Sequence, residues 1–321
     1  GTGGATGGSP GTGGAEATGG TGGTPGTDSE LIGWASVSTC GPNGTTGGGD
    51  GEPTVTVTSG GELEDALTSS GALVIAVSGR IDSPGGVSGV SDKTLVGINN
   101  AEIAGGFGLS GARNVIIKNI IFSDGSGDTF ELSGCECVWF DHCEFRDGSD
   151  GNLDIVRASD LVTVSWSKFY YTRSHDHMLS NLCGNGNDRP EDEGKINITF
   201  HHNWWGAGVR SRAPRVRYGQ VHVFNNYYRY EQVEGEGSSN YCVGAGQYSR
   251  LLVENNYFDS VGDVITWMSD EGTAEVVERG NEIVNSGGVV TRGSSFTPPY
   301  PYTLDSAADV PNIVMSGTGP R

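Results

Sequence analysis

Seven nine-residue windows, each ending in a large apolar residue, recur along the chain and constrain its fold more than any other feature. They begin at Asn114 (NVIIKNIIF), Cys137 (CVWFDHCEF), Leu161 (LVTVSWSKF), Asn197 (NITFHHNWW), Gln220 (QVHVFNNYY), Arg250 (RLLVENNYF) and Glu275 (EVVERGNEI), at separations of 23, 24, 36, 23, 30 and 25 residues. The front of each window alternates apolar and polar residues, the period of a short strand. Gly, Asp, Asn and Ser fill the intervals, without the two-to-five-residue hairpin turns that a β-sandwich needs. Strands repeating at about two dozen residues without hairpins predict a solenoid, in which each coil adds a strand to parallel sheets. The expected fold is therefore all-β, a right-handed parallel β-helix of ~23-residue coils. The sixth window position holds Asn119, His142, Trp166, His202, Asn225 and Asn255, and is expected to stack into a hydrogen-bonded ladder at one bend. Helical patterning is weak, and only residues 61–70 (GELEDALTSS) read as a helix.

Residues 1–31 are almost entirely Gly, Thr, Ala, Ser and Pro. Such a segment cannot bury enough apolar surface to offset its ordering entropy, so it reads as a flexible tether to a domain spanning 32–321. No signal-peptide pattern opens the sequence, and the tail reads as a spacer left after processing or a linker to an upstream module. No run of 18 apolar residues is present, so a membrane span is excluded. With 39 acidic against 19 basic residues the formal charge is -20, which argues against nucleic acid as a partner and fits a protein that gathers divalent cations. The six cysteines are too sparse for a disulfide scaffold, and buried thiols or one or two disulfides are both compatible with them. Cys135 and Cys137, two apart, are expected on one strand face.

Against this acidic background Arg210, Arg212, Arg215 and Arg217 fall within eight residues, a dense cationic spot suited to an anionic ligand. The intervals 170–196 and 229–249 exceed the basic coil and flank this spot in repeat order; insertions in a solenoid emerge as loops on one face, often the binding face. One coil earlier, the run 147–154 (DGSDGNLD) carries three carboxylates. Asp150 and Asp154 flank a short turn, and Asp128, one coil before them, adds a further carboxylate. Oxygen ligands in irregular geometry suit calcium, although no EF-hand pattern is present. His175 and His177 read as loop residues in preference to a transition-metal site.

These segments resemble the pectate lyase superfamily, polysaccharide lyase family 1. Arg212-Ala213-Pro214-Arg215-Val216-Arg217 has the family's R-x-P-x-x-R form, and Val138 to His142 is similar to its V-W-I-D-H block. FHHNWW resembles the strand ahead of the arginine motif, GWASVSTCGPNGTTGGGDG the N-terminal entry, and PPYPYTLDSAADV the C-terminal closure, so the likeness covers roughly residues 32–317. The resemblance implies a secreted, monomeric pectate lyase acting on an acidic polysaccharide, with Arg212 as base and Arg217 as a carboxylate clamp. It also implies calcium held by Asp128, Asp150 and Asp154. An arginine keeps its proton at neutral pH, so an alkaline optimum is expected. The family often places a substrate-binding lysine before the arginine motif. The segment YYTRSHDHMLSN has none, and Arg173 is the best charge match. Two other readings stay open: a metal-independent pectin lyase on methyl-esterified chains, and a non-catalytic β-helix that binds sugars.

Overall fold

The computed structural model describes Gly1 and residues 30–235, 237–269 and 272–321. The expected tether lies almost wholly outside the described residues. From Leu73 onward the chain winds as a parallel β-helix with three strands per coil, and every inter-strand pairing between named strands is parallel. The first sheet includes Arg113–Lys118, Glu136–Asp141, Asp160–Ser165, Ile198–His201, Gln220–Phe224, Arg250–Glu254 and Glu275–Arg279, paired in that order. The second includes Ile121–Ser123, Glu144–Arg146, Lys168–Tyr170, Trp204–Trp205, Tyr227–Arg229, Tyr257–Asp259 and Glu282–Val284. The third has eight strands, from Gly86–Ser88 through Phe107–Ser110, Phe130–Ser133, Leu153–Val156, Leu182–Cys183, Arg215–Val216 and Tyr241–Ala245 to Asp263–Trp267.

Each sequence window is thus two strands, not one, folded about a corner. Its sixth residue makes the corner: Asn119, His142, Trp166, His202, Asn225 and Asn255 all have φ between 48° and 59°. That left-handed geometry explains the asparagines, which tolerate it better than most residues. The sixth position stacks as expected in part, His142, Trp166 and His202 ring on ring at 5.9 and 4.4 Å and Asn225 Nδ2 donating to the Asn255 carbonyl at 3.0 Å, while the side-chain-to-side-chain ladder runs one residue on. Asn203, Asn226, Asn256 and Asn281, at the seventh, bond side chain to side chain: Nδ2 of Asn226 donates to Oδ1 of Asn256 at 2.9 Å, and Nδ2 of Asn256 to Oδ1 of Asn281 at 2.9 Å. Corner side chains cannot point inward at the same bend, so the interior ladder falls to their neighbours. The ninth position supplies the aromatic core. Phe122, Phe145, Phe169, Trp205, Tyr228 and Phe258 stack in sequence at centroid distances of 5.2, 5.0, 5.2, 4.7 and 4.4 Å, close to the spacing of paired strands.

The helix Gly60–Thr68 agrees with the expected one and closes the first coil. Ser59 caps it by accepting from the Glu62 N–H, and Leu63, Ala66 and Leu67 are buried against the opening strands. A second helix, Val310–Gly317, was not expected; it seats Val310 and Val314 against Tyr227 on the outside of the second sheet. Cys40 and Cys137 form a disulfide with Cα atoms 5.5 Å apart, while Cys135, Cys143, Cys183 and Cys242 are buried thiols. Cys135 and Cys137 therefore do not share a face. Cys137 has φ 61°, a local break in the strand alternation that leaves Cys135 in the core and turns Cys137 toward the N-terminal segment.

Candidate active site

Strand register on the third sheet fixes the site. Phe130, Leu132, Leu153, Ile155, Cys183 and Val216 point into the core, so their alternates face outward. In register, the outward row runs Gly108, Glu131, Asp154, Leu182, Arg215 and Gly244. The turns leading into these strands deliver the remaining groups. Asp128 precedes Phe130–Ser133, Asp150 precedes Leu153–Val156, and Arg212 precedes Arg215–Val216. The Asp150 turn lies directly on the turn below it, through Asp150 N–H to the Gly127 carbonyl at 3.2 Å. A Cβ at Gly151 would come within 2.5 Å of Asp128 Oδ1, so a side chain there would displace that carboxylate.

Asp128 and Asp154 are brought together, with Asp154 only 8% exposed and its Oδ1 accepting from the Leu182 N–H at 3.1 Å. Burial, then the charges of Asp150 and Glu131, push the Asp128 carboxyl up to about 6. Burial and the neighbouring Asp128 charge likewise hold Asp154 well above the usual carboxylate range. The Arg212 guanidinium opposes both shifts, so its positive charge reaches both carboxylates. Arg212 has φ 61°, at a corner followed by a cis Ala213–Pro214 peptide. The Tyr241 phenol also lies in this cationic field; burial raises it, while Arg215, Arg212 and Arg217 pull it back.

The other expected site residues are engaged elsewhere. Asp150 is half-exposed and meets His177 Nδ1 at 2.7 Å. Among the described residues no three His, Cys, Asp or Glu side chains converge at metal-ligand spacing. The Asp128–Asp154 pair nonetheless offers oxygen-only, mutually repelling donors, a chemistry that fits a hard cation. Arg173 reaches Asp124 at 2.7 Å and Asp147 at 3.7 Å, and Asp147, nearly buried, also accepts from Thr172 N–H and Oγ1. The first insertion is thereby tied over the carboxylate turns. Arg217 donates from Nε to Asn187 Oδ1 at 2.8 Å and from Nη1 to the Asn185 carbonyl at 2.7 Å, holding the loop beside the groove. Arg215 occupies the groove floor beside Gly244, where a Cβ would come within 2.8 Å of Met268 Cε and 2.9 Å of Tyr241 Cε2.

Sequence reasoning missed Glu131 and Tyr241. Glu131 was within reach of the period-two rule: in FELS, Phe130 and Leu132 point in, so Glu131 points out beside Asp154. Tyr241 was not, because it shares parity with the inward Val243 and Ala245.

Comparison with known proteins agrees with this architecture. Residues 5–300 match the family model described as pectate lyase. A pectate trisaccharide-lyase of Thermotoga maritima is 36% identical over 90% of this chain and 88% of its own length, and one of Bacillus licheniformis is 32% identical over 91% and 86%. A probable pectate lyase B of Aspergillus flavus is 32% identical over 83% of this chain and 82% of its own. Among solved structures, a pectate lyase from Bacillus sp. N165 in complex with trigalacturonate superimposes with a TM-score of 0.73 at 28% identity, covering 90% of this chain and 98% of that one. A pectate lyase bound to hexasaccharide gives 0.75 at 24% identity, covering 90% and 96%, and shares the fold. The repeat, the groove and these relatives together place the chain in the pectate lyase family, as a polysaccharide lyase.

Proposed function

We propose that the protein is an extracellular pectate lyase that cleaves polygalacturonate by calcium-assisted β-elimination, with Arg212 as the base. The observation that carries this reading is the Asp128–Asp154 pair at the outward face of the third sheet, within reach of the Arg212 charge, which opposes the rise of both carboxyls. In the reaction the C5–H bond of a galacturonate residue breaks and its electron pair forms the C4–C5 double bond. The C4–O bond breaks, and the leaving oxygen takes a proton from solvent. The proton at C5 goes to the base, the part proposed for Arg212. Arg217 and Arg173 are proposed to bind substrate carboxylates, each trading a present partner, Asn187 or Asp124, for the sugar. Asp128 and Asp154 would hold calcium, joined by Asp150 on release from His177. When bound, calcium supplies Lewis-acid stabilisation of charge developing on the C6 carboxylate. An extracellular setting is supported by the Cys40–Cys137 disulfide, which persists in oxidising surroundings.

The test is the ultraviolet absorbance of the unsaturated product with polygalacturonate, in calcium and then in chelator. A calcium-dependent rise is expected. A rise that survives exhaustive chelation would remove the metal from the reading, and no rise on either pectate or esterified pectin would remove the elimination.

A further inference from the structure

A cavity of about 170 Å³ opens on the outward face of the third sheet, upstream of the carboxylates, lined in part by Ser88, Ser110, Ser133, Glu131 and Arg157. Its floor is continuous with the proposed cleavage site, since Gly86, Gly108, Glu131 and Asp154 occupy one register row. With strands about 4.8 Å apart, Glu131 lies one spacing from Asp154, Gly108 two and Gly86 three. A 1,4-linked sugar chain advances by roughly one strand spacing per residue, so the cavity faces the first to third sugars beyond the one over Asp154.

Arg157 brings a cation to this place. It and Ala158 are consecutive non-glycine residues with φ of 55° and 60°, a corner that turns the guanidinium back over the preceding coil. There its partners are long ones, Ser133 Oγ at 3.4 Å and Glu131 Oε1 at 3.7 Å, and its side chain is 63% exposed. A guanidinium has five N–H donors in a planar fork, so most remain for a ligand carboxylate. The three serine hydroxyls supply donors and acceptors for sugar hydroxyls.

We propose that this cavity is a uronate subsite in which Arg157 binds the carboxylate of a sugar beyond the cleaved unit on the Glu131 side, making the enzyme favour longer, unesterified chains. The inference rests on the pectate lyase reading of the groove. Glu131 has a distinct part, holding Arg157 across the floor while repelling any carboxylate that does not reach the guanidinium.

The experiment compares kcat/KM for hexagalacturonate and trigalacturonate in calcium, for the wild-type enzyme, Arg157→Ala and Arg157→Lys. The hexamer-to-trimer ratio should fall about tenfold in Arg157→Ala, the size expected for one charge-assisted pair. It should recover in part in Arg157→Lys, which restores the charge without the fork. A ratio equal to wild type, or equal losses on both substrates from a general structural defect, would overturn the proposal. Unsaturated product from the wild type tests the underlying reading separately, because only its absence on both substrates would bring down the pectate lyase assignment itself.

Discussion

Replacing Asp128 by Asn should make the calcium-free protein more stable at alkaline pH, although it removes a residue of the active site. In the folded chain this carboxyl is raised from an ordinary 3.8 to about 6, by burial first and by Asp150 and Glu131 second. At ~1.4 kcal/mol per pH unit, that gap corresponds to ~3 kcal/mol of destabilisation when the group is ionised. The sign follows from linkage: between about pH 4 and 6 the folded state binds more protons than the unfolded one, so stability falls as pH rises. Above about pH 6 the full cost is present, and below pH 4 it is absent. Asparagine keeps the shape and cannot ionise. Urea unfolding in chelator at pH 8 should therefore place Asp128→Asn about 1–3 kcal/mol above wild type, the lower end applying if Asp154 keeps part of the repulsion. The advantage should vanish near pH 4, while activity on polygalacturonate is lost. An Asp128→Asn protein no more stable than wild type at pH 8 in chelator would refute the claim that this pair is held together against its own repulsion.

Calcium should raise the unfolding free energy of wild type at pH 8 and leave Asp128→Asn nearly unchanged, measured by urea titration with and without the ion. Arg212→Ala should lower the rate of unsaturated-product formation by about 10²–10⁴-fold while circular dichroism stays that of the wild type. Asn226→Ala should cost about 3 kcal/mol or more, because it strips partners from the buried Asn203 N–H and Nδ2 and from the Phe200 carbonyl, while Asn256 Oδ1 keeps only the backbone N–H of residue 226 from this step of the ladder. Cys40→Ser opens a disulfide spanning 97 residues, and a loss of about 2–5 kcal/mol is expected in the same assay.

What the sequence made legible was whatever the coil repeats at a fixed offset. The ninth window position gave the aromatic stack because an inward residue must recur once per coil, and Phe145, Phe169 and Trp205 differ only in ring size. The asparagine ladder was legible only to within one residue. In HN and NN pairs either member can ladder, and a slip of one position in a strand-like segment exchanges the two faces. The third sheet was not legible: strands as short as Leu182–Cys183 and Arg215–Val216 carry no periodicity of their own and acquire it only by pairing. Arg173 shows the same limit at the site. Charge alone marked it as a carboxylate ligand, but its neighbours Asp124 and Asp147 lie 49 and 26 residues away and become visible only when the coils are stacked.

Stacking also explains why the carboxylates and arginines meet at all. A parallel solenoid places residues one coil apart at one strand spacing, so Asp128 and Asp154, 26 residues apart in sequence, occupy neighbouring steps of one face, and Arg212, 58 residues further on, enters the same face two coils along. The arrangement is unfavourable by itself: Asp154 is buried, Asp128 is raised, and the chain carries a net charge of -20. The interior aromatic stack and the asparagine ladder hold the backbone of these coils in register regardless of what faces outward. Rigidity on the inside is what lets the outer face keep like charges together, and such a face is poised to gain most when a cation and a polyanion arrive together. A site relaxed in their absence would have less to gain from either, which is why Asp128→Asn should gain stability and lose activity together.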